Sequence, residues 1–298
     1  MNNMENIPAN IDRCTYMQRV KTALAIFCLT AVGLSGCDNS PKVIPTINLD
    51  PGVGVDLSYP QCGTDVKLNT PAFVIVGLNN GIAKEVNPCL DTQITQATSI
   101  YINSGNPGKT NAKKWPASGE FQGENCHGDD SIACAHEYGK EIAAAAVATF
   151  AQQLNASHAK PIQNPTWWID VEVGNNWQCN KGLSPLCAER NTEQVAGGAY
   201  GRNAAVLDGM SSELKAKGNT VGIYTNPEQW DLIVADSVKK LPNKYPSLKD
   251  TQVWINGATT KNQAENNCKT APFGGLGKVT LSQFLPDTAP QIDRDVLC

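Results

Sequence analysis

No block of five or more basic residues occurs anywhere in the 298-residue chain, and the formal net charge is −4. Nucleic-acid binding needs a concentrated basic surface, so that class is excluded. No apolar run approaches the roughly 20 residues that a membrane-spanning helix needs. Metal-binding spacings such as C-x2-C and H-x3-H are missing, and His127, His136 and His158 are scattered. No metal and no cofactor are therefore expected. The G-x-S-x-G elbow of serine hydrolases is absent. Residues 103–110, NSGNPGKT, imitate a phosphate-binding loop. Asn103 replaces its first glycine, however, and Pro116 and Gly119 leave little room for the helix that should follow. Gly274-Gly275-Leu276-Gly277 precedes a strand instead of following one, which argues against a dinucleotide turn.

What the chain does have is a core and cysteines. Hydrophobic residues make up 41% and charged residues 17%, enough apolar content to fold. Eleven cysteines suit an oxidising compartment. Arg19 and Lys21 precede the apolar run Thr22–Val32, which ends in Leu34-Ser35-Gly36-Cys37. A positive start, a short apolar stretch and small residues before a cut site describe an export signal. Its Leu-Ser-Gly-Cys ending resembles the bacterial lipobox, which implies lipidation at Cys37 and a membrane anchor in the cell envelope. The charged region is long, and Met17 would make a more usual start. The domain plan is a lipoprotein signal over 1–36, a Pro/Asn-rich tether over 37–51 and one catalytic-sized unit over 52–298.

Cys14 and Cys28 fall within the signal. Eight cysteines then remain besides Cys37, and eight allow 105 pairings. Short loops suggest Cys126–Cys134 and Cys179–Cys187, and elimination leaves Cys62–Cys89 and Cys268–Cys298.

Strand-like and helix-like segments alternate. Strand candidates are 52–58, 72–78, 99–103, 166–173, 219–226, 251–257, 277–284 and 291–296. Helices are expected over 136–154, from Asn191 or Thr192 to Gly218, and from Pro227 onward. Eight strands with intervening helices predict an irregular (β/α)8 barrel of the TIM type, thin in helices after the sixth and seventh strands. An open Rossmann-like sheet is the alternative.

Side-chain alternation along strands then places the chemistry. In TWWIDVEV, Trp168, Asp170 and Glu172 share one face, while Trp167, Ile169 and Val171 share the helix-facing one. The two carboxylates lie about 7 Å apart along the strand. The same parity turns Asp56 and Ser58, Tyr224 and Asn226, and Gln252, Trp254 and Asn256 inward. Asp293 is expected in the last strand. Burying several carboxylates is costly, so a cluster of them points to chemistry. Paired carboxylates in different environments serve glycoside hydrolysis, and aromatic rings stack on sugars.

Ordered motifs carry a resemblance. Gly54-Val55-Asp56-Leu57-Ser58, Asp170-Val171-Glu172, Gly222-Ile223-Tyr224-Thr225, the inward Trp254, Gln283-Phe284 and Asp293 follow one another as in family 25 glycoside hydrolases. Those are lysozymes with an irregular β/α barrel. A subgroup of secreted bacterial proteins with a similar domain shares Pro60–Gly63, Asn87–Leu90, Asn106–Gly108 and Trp167–Glu172. The resemblance implies Glu172 as general acid and Asp170 as the stabilising carboxylate. It implies Asp56 and Asp293 as their supports, and a cleft lined by Tyr101, Tyr224, Trp254, Trp168 and Gln283. The implied partner is a polysaccharide, peptidoglycan or another amino-sugar polymer, and the implied state a monomer. Two departures bear on the substrate. The usual arginine after the second strand is replaced by Asn79-Asn80, and the third strand reads Tyr101-Ile102-Asn103. A catalytically silent glycan-binding or scaffold protein on the same barrel is the alternative.

Overall fold

The structure, a computed structural model, describes residues 46–298 apart from 64–66, 81–84, 158–161, 163, 179–197 and 287–291. Its strands are β1 (Thr46–Asn48), β2 (Val53–Leu57), β3 (Lys67–Asn69), β4 (Val74–Gly77), β5 (Ser99–Asn103), β6 (Glu120–Phe121), β7 (Glu124–Asn125), β8 (Thr166–Asp170), β9 (Thr220–Thr225), β10 (Gln252–Ala258), β11 (Val279–Phe284) and β12 (Arg294–Leu297). Its helices are α1 (Leu90–Gln93), α2 (Gly108–Asn111), α3 (Ile132–Ser157), α4 (Ala199–Ala216), α5 (Pro227–Val234), α6 (Ser237–Lys240) and α7 (Lys261–Asn267).

Eight strands close into a barrel in the order β10-β11-β12-β2-β4-β5-β8-β9. All eight expected strands are present. Seven run parallel, but β12 is antiparallel to both β11 and β2. That reversal follows from the sequence between them. Too few residues separate β11 from β12 for a helix to carry the chain back to the starting end, since parallel strands need a crossover of a dozen or more residues. An open sheet is ruled out by the closing pair β9–β10.

Alternation along each strand sorts side chains between two cores. Val55, Leu57, Ile100, Ile102, Trp167, Ile169, Val221, Ile223, Val253 and Ile255 join the layer that the helices cover. Ile75, Trp168, Trp254 and Leu281 fill the barrel interior, with Phe73, Tyr101 and Tyr224 packed against them. Large rings fit there because glycines face them. A Cβ on Gly54 would lie 2.2 Å from the Phe73 ring, and one on Gly222 would lie 2.2 Å from the Trp168 ring.

The Ala-rich helix α3 packs on α4 through two glycines. A Cβ on Gly139 would meet the Val206 carbonyl oxygen at 2.0 Å, and one on Gly209 the His136 carbonyl oxygen at 2.1 Å. Buried at this contact, His136 Nε2 lies 3.4 Å from Asp208 Oδ2. Of the helix expected from Asn191 or Thr192, the described part begins at Ala199. The helix starting at Pro227 is shorter than its apolar pattern suggests. It stops at Val234, where Ala235 takes a positive φ of 48°.

Three residues of the segment read as a tether form β1, which pairs in parallel with β3. Disulfides join Cys62 to Cys89, Cys126 to Cys134, and Cys268 to Cys298. Cys179–Cys187, the lipobox and Cys37 lie outside the described residues. Among the described residues, no helix is long and apolar enough to cross a membrane.

Candidate active site

The C-terminal ends of the parallel strands form a mouth, and carboxyl groups gather there. β2 supplies Asp56 and β8 supplies Asp170, which are 5% and 4% exposed. Glu172 lies two residues beyond the end of β8 and is half-buried. Asp293 is not inside the last strand, as the sequence suggested. It precedes β12, and its carbonyl oxygen accepts the Asp56 backbone N–H at 3.2 Å. β12 brings a fifth carboxyl, Asp295, which has no exposure at all. No lysine or arginine among the described residues forms an ion pair with any of the five.

Buried carboxyls without cations hold their protons to higher pH than exposed ones. Burial pushes Asp56 well above the usual carboxylate range, and the nearby charges of Asp293 and Asp295 push the same way. For Asp170, burial acts first and the Glu172 charge second, against a hydrogen bond from Asn175. Glu172 is raised by burial and by Asp293, and lowered by Gln229. Burial lifts Asp293 to about 6.

Hydrogen bonds orient each group. Asn256 Nδ2 donates to Glu172 Oε1 at 3.0 Å. The amide cannot point the other way, because its Oδ1 accepts Asn226 Nδ2 at 2.6 Å and Gln229 Nε2 at 3.4 Å. Asn226 also caps α5, its side chain accepting the Gln229 backbone N–H at 2.9 Å. One cap thus sets both the start of a helix and the aim of the glutamate, and Trp177 Nε1 fixes the Glu172 backbone by donating to its carbonyl at 2.9 Å. Asn175 Nδ2 donates to Asp170 Oδ1 at 3.4 Å, and Ser104 Oγ donates to the Asp170 carbonyl. Below them, Tyr224 Oη donates to Gln283 Oε1 at 2.7 Å, and Gln283 Nε2 donates to Asp56 Oδ2 at 3.0 Å.

Not every expected residue lines an open cleft. Trp254 is 1% exposed and Trp168 is 5% exposed. Their centroids lie 5.7 Å apart in an edge-on contact, and Tyr224 sits 4.4 Å from Trp254. These tryptophans form the floor of the mouth and offer no free face to a sugar. Tyr101 and Tyr224 are half-buried above them. Where an arginine was expected, Asn79 is buried and its Oδ1 accepts the Asn103 backbone N–H at 2.9 Å. Asp295, Gln229 and the orienting role of Asn256 were missed by sequence reasoning. Asp295 was detectable, since it shares the parity of Asp293 in QIDRDV.

Elsewhere, donor atoms of Cys126, Asp129 and Cys134 lie within 4.8 Å of one another, but both sulfurs are committed to a disulfide. A cavity of about 500 Å³ lies beside Cys62–Cys89, and none of the five carboxyls lines it.

The chain is similar to Lysozyme-like protein 5 of Caenorhabditis elegans, with 27% identity over 149 residues. The match takes in 50% of this chain and 55% of that protein, so this chain spans about half the length of the curated relative. No family model matches the chain. Among solved structures, an uncharacterized B. stearothermophilus protein aligns over 83% of this chain and 95% of its own, with a TM-score of 0.42 and 13% identity. The modular Cpl-1 endolysin, solved with a peptidoglycan analogue, aligns over 82% of this chain and 53% of its own, with a TM-score of 0.37 and 14% identity. Likenesses at these scores carry no argument, and the fold rests on the barrel itself.

Proposed function

We propose that the protein is an exported glycoside hydrolase of the family 25 lysozyme type, acting on β-1,4 bonds of peptidoglycan or a related amino-sugar polymer. The observation that carries this reading is the gathering of five carboxyls, with no ion-paired cation among the described residues, at the mouth of one barrel. A structure gains no stability from such a collection. It gains carboxyls in unequal environments that hold their protons to higher pH than usual, so that one can give a proton while another takes the charge, which is what glycosidic bond cleavage requires. The likeness to a lysozyme-like protein agrees with it.

In this reading Glu172 is the general acid. Its proton reaches the leaving oxygen because it is the carboxyl of the pair that stands partly open at the mouth. Asp170, deeper on the same face, stabilises the reacting 2-acetamido group or the oxocarbenium-like charge. Asp56 and Asp293 hold the pair and the sugar. Tyr101 and Tyr224 supply the remaining aromatic edges. Lipidation at Cys37 would hold a monomer at the envelope membrane, facing its polymer.

A second reading, a glycan-binding protein without turnover, draws on Asn79 in place of arginine and on the closed tryptophan floor. Reducing-end release from purified peptidoglycan separates the two. Wild-type protein with intact disulfides should release ends bearing N-acetylmuramic acid, and Glu172→Gln should not. Folded wild type that releases nothing from acetylated or de-acetylated walls would favour the binding reading.

A further inference from the structure

Asp295 is the most deeply buried acid of the five and, among them, the one with a fully buried oxygen that no ordinary donor reaches. Its Oδ1 accepts Trp254 Nε1 at 2.8 Å. Its Oδ2 is buried and receives no N–H or O–H from any ordinary donor. Strand register explains what lies next to it. On β12 it stands opposite Gln283 of β11 and Gly54 of β2, two residues from Asp56. Asp56 is within hydrogen-bond reach of Asp295. Of the Asp56 oxygens, Oδ2 is already taken by Gln283. Tyr224 Oη donates to the Gln283 carbonyl oxygen, so the amide N–H side must face Asp56.

Two carboxylates cannot stay in hydrogen-bond contact as anions in a dry site, because neither has a hydrogen to give. The titratable groups facing them offer no relief. Asp293, on the segment before β12, bears on both carboxyls, and the phenols Tyr101 and Tyr224, from β5 and β9, adjoin Asp56. All three are acids.

We propose that Asp56 and Asp295 hold one proton between them at neutral pH, with Asp56 donating it to Asp295. Asp295 is then a positioning residue that keeps Asp56 neutral and fixed in aim. The direction follows from the neighbours. Each carboxyl receives one N–H and each feels Asp293, but on Asp56 the Asp293 charge outweighs the Gln283 N–H, whereas on Asp295 the indole N–H outweighs the Asp293 charge. The Tyr224 hydroxyl, the Gln283 amide, the Trp254 indole and the shared carboxyl proton then each have an acceptor. The consequence for turnover rests on the glycosidase reading, whereas the proton count does not.

Net charge tests the count. An ordinary ionised aspartate replaced by asparagine makes a protein one charge less negative. Here Asp295→Asn leaves Asp56 ionised beside the new amide, and Asp56→Asn leaves Asp295 ionised. Each single variant of the full chain, with disulfides intact, should keep the wild-type electrophoretic mobility at neutral pH. The double variant should lose one negative charge. A full-unit change in either folded single variant overturns the proposal. Should neither single variant fold, the infrared band of protonated carboxyls decides in the wild type. It should be present at neutral pH and shift in Trp254→Phe, which removes the indole donor. Its absence, or its indifference to that change, is equally fatal. For activity, Asp295→Asn moves charge onto Asp56, two residues nearer the mouth along β2, and the alkaline limb of kcat/KM should move to higher pH. An inactive wild type would sink the glycosidase reading and leave the mobility result to judge the proton.

Discussion

Replacing Asp293 with asparagine should flatten the pH dependence of stability. Burial lifts the Asp293 carboxyl from 3.8 to about 6. Between those values the folded protein keeps a proton that the unfolded chain has released. The folded state is therefore favoured at low pH, and that advantage is lost as pH rises through about 6. A shift of about 2 units corresponds to about 3 kcal/mol at roughly 1.4 kcal/mol per unit. That is an upper figure, since the group is only partly buried. Asparagine has nearly the same shape and never ionises. Urea unfolding of both proteins at about pH 4 and about pH 7.5, with disulfides intact, gives two differences in ΔG. Wild type should lose up to about 3 kcal/mol more than Asp293→Asn across that interval. The comparison cancels the pH-independent cost of the substitution, and relieving Asp56, Glu172 and Asp295 of the Asp293 charge acts in the same direction. Equal losses in the two proteins would show that Asp293 is not held in its acid form by burial, and the electrostatic account of the mouth would fail with it.

Glu172→Gln and Asp170→Asn should each reduce reducing-end release by roughly 10²–10⁴-fold while leaving glycan binding nearly intact, as checked by binding isotherms on the same polymer. Gly139→Ala would add about 1 kcal/mol to an isolated helix. Here it should lower the melting temperature instead, because the new Cβ would meet the Val206 carbonyl at 2.0 Å and neither backbone can yield without parting α3 from α4. Replacing Cys62 and Cys89 by serine opens a loop with a sequence separation of 27. Denaturant unfolding should show a loss of about 3.5 kcal/mol from the unfolded chain's regained entropy.

Much of this protein was legible one residue at a time. Period-2 alternation separated Ile169 and Ile223 from Asp170 and Tyr224, because a strand has only two faces and one of them must be apolar. Eight such runs with helices between them implied a closed barrel, and loop spacing suggested Cys126–Cys134 while elimination suggested Cys62–Cys89 and Cys268–Cys298, all three of which the structure contains. Other features depended on neighbours distant in sequence. The short link after β11 allows only an antiparallel β12, but that β12 also pairs with β2 and so closes the barrel is a constraint no local pattern contains. Trp254 reads as a sugar platform until Tyr101, Trp168 and Tyr224 are seen packed around it. The orientation of Glu172 depends on Asn256, 84 positions away, and Asp56 is tied to Gln283 across 227 positions. Sequence determined which residues turn inward, since that is a property of one strand. The tertiary structure decided which inward acids share a proton and which rings stay open, since those are properties of strands meeting across a barrel.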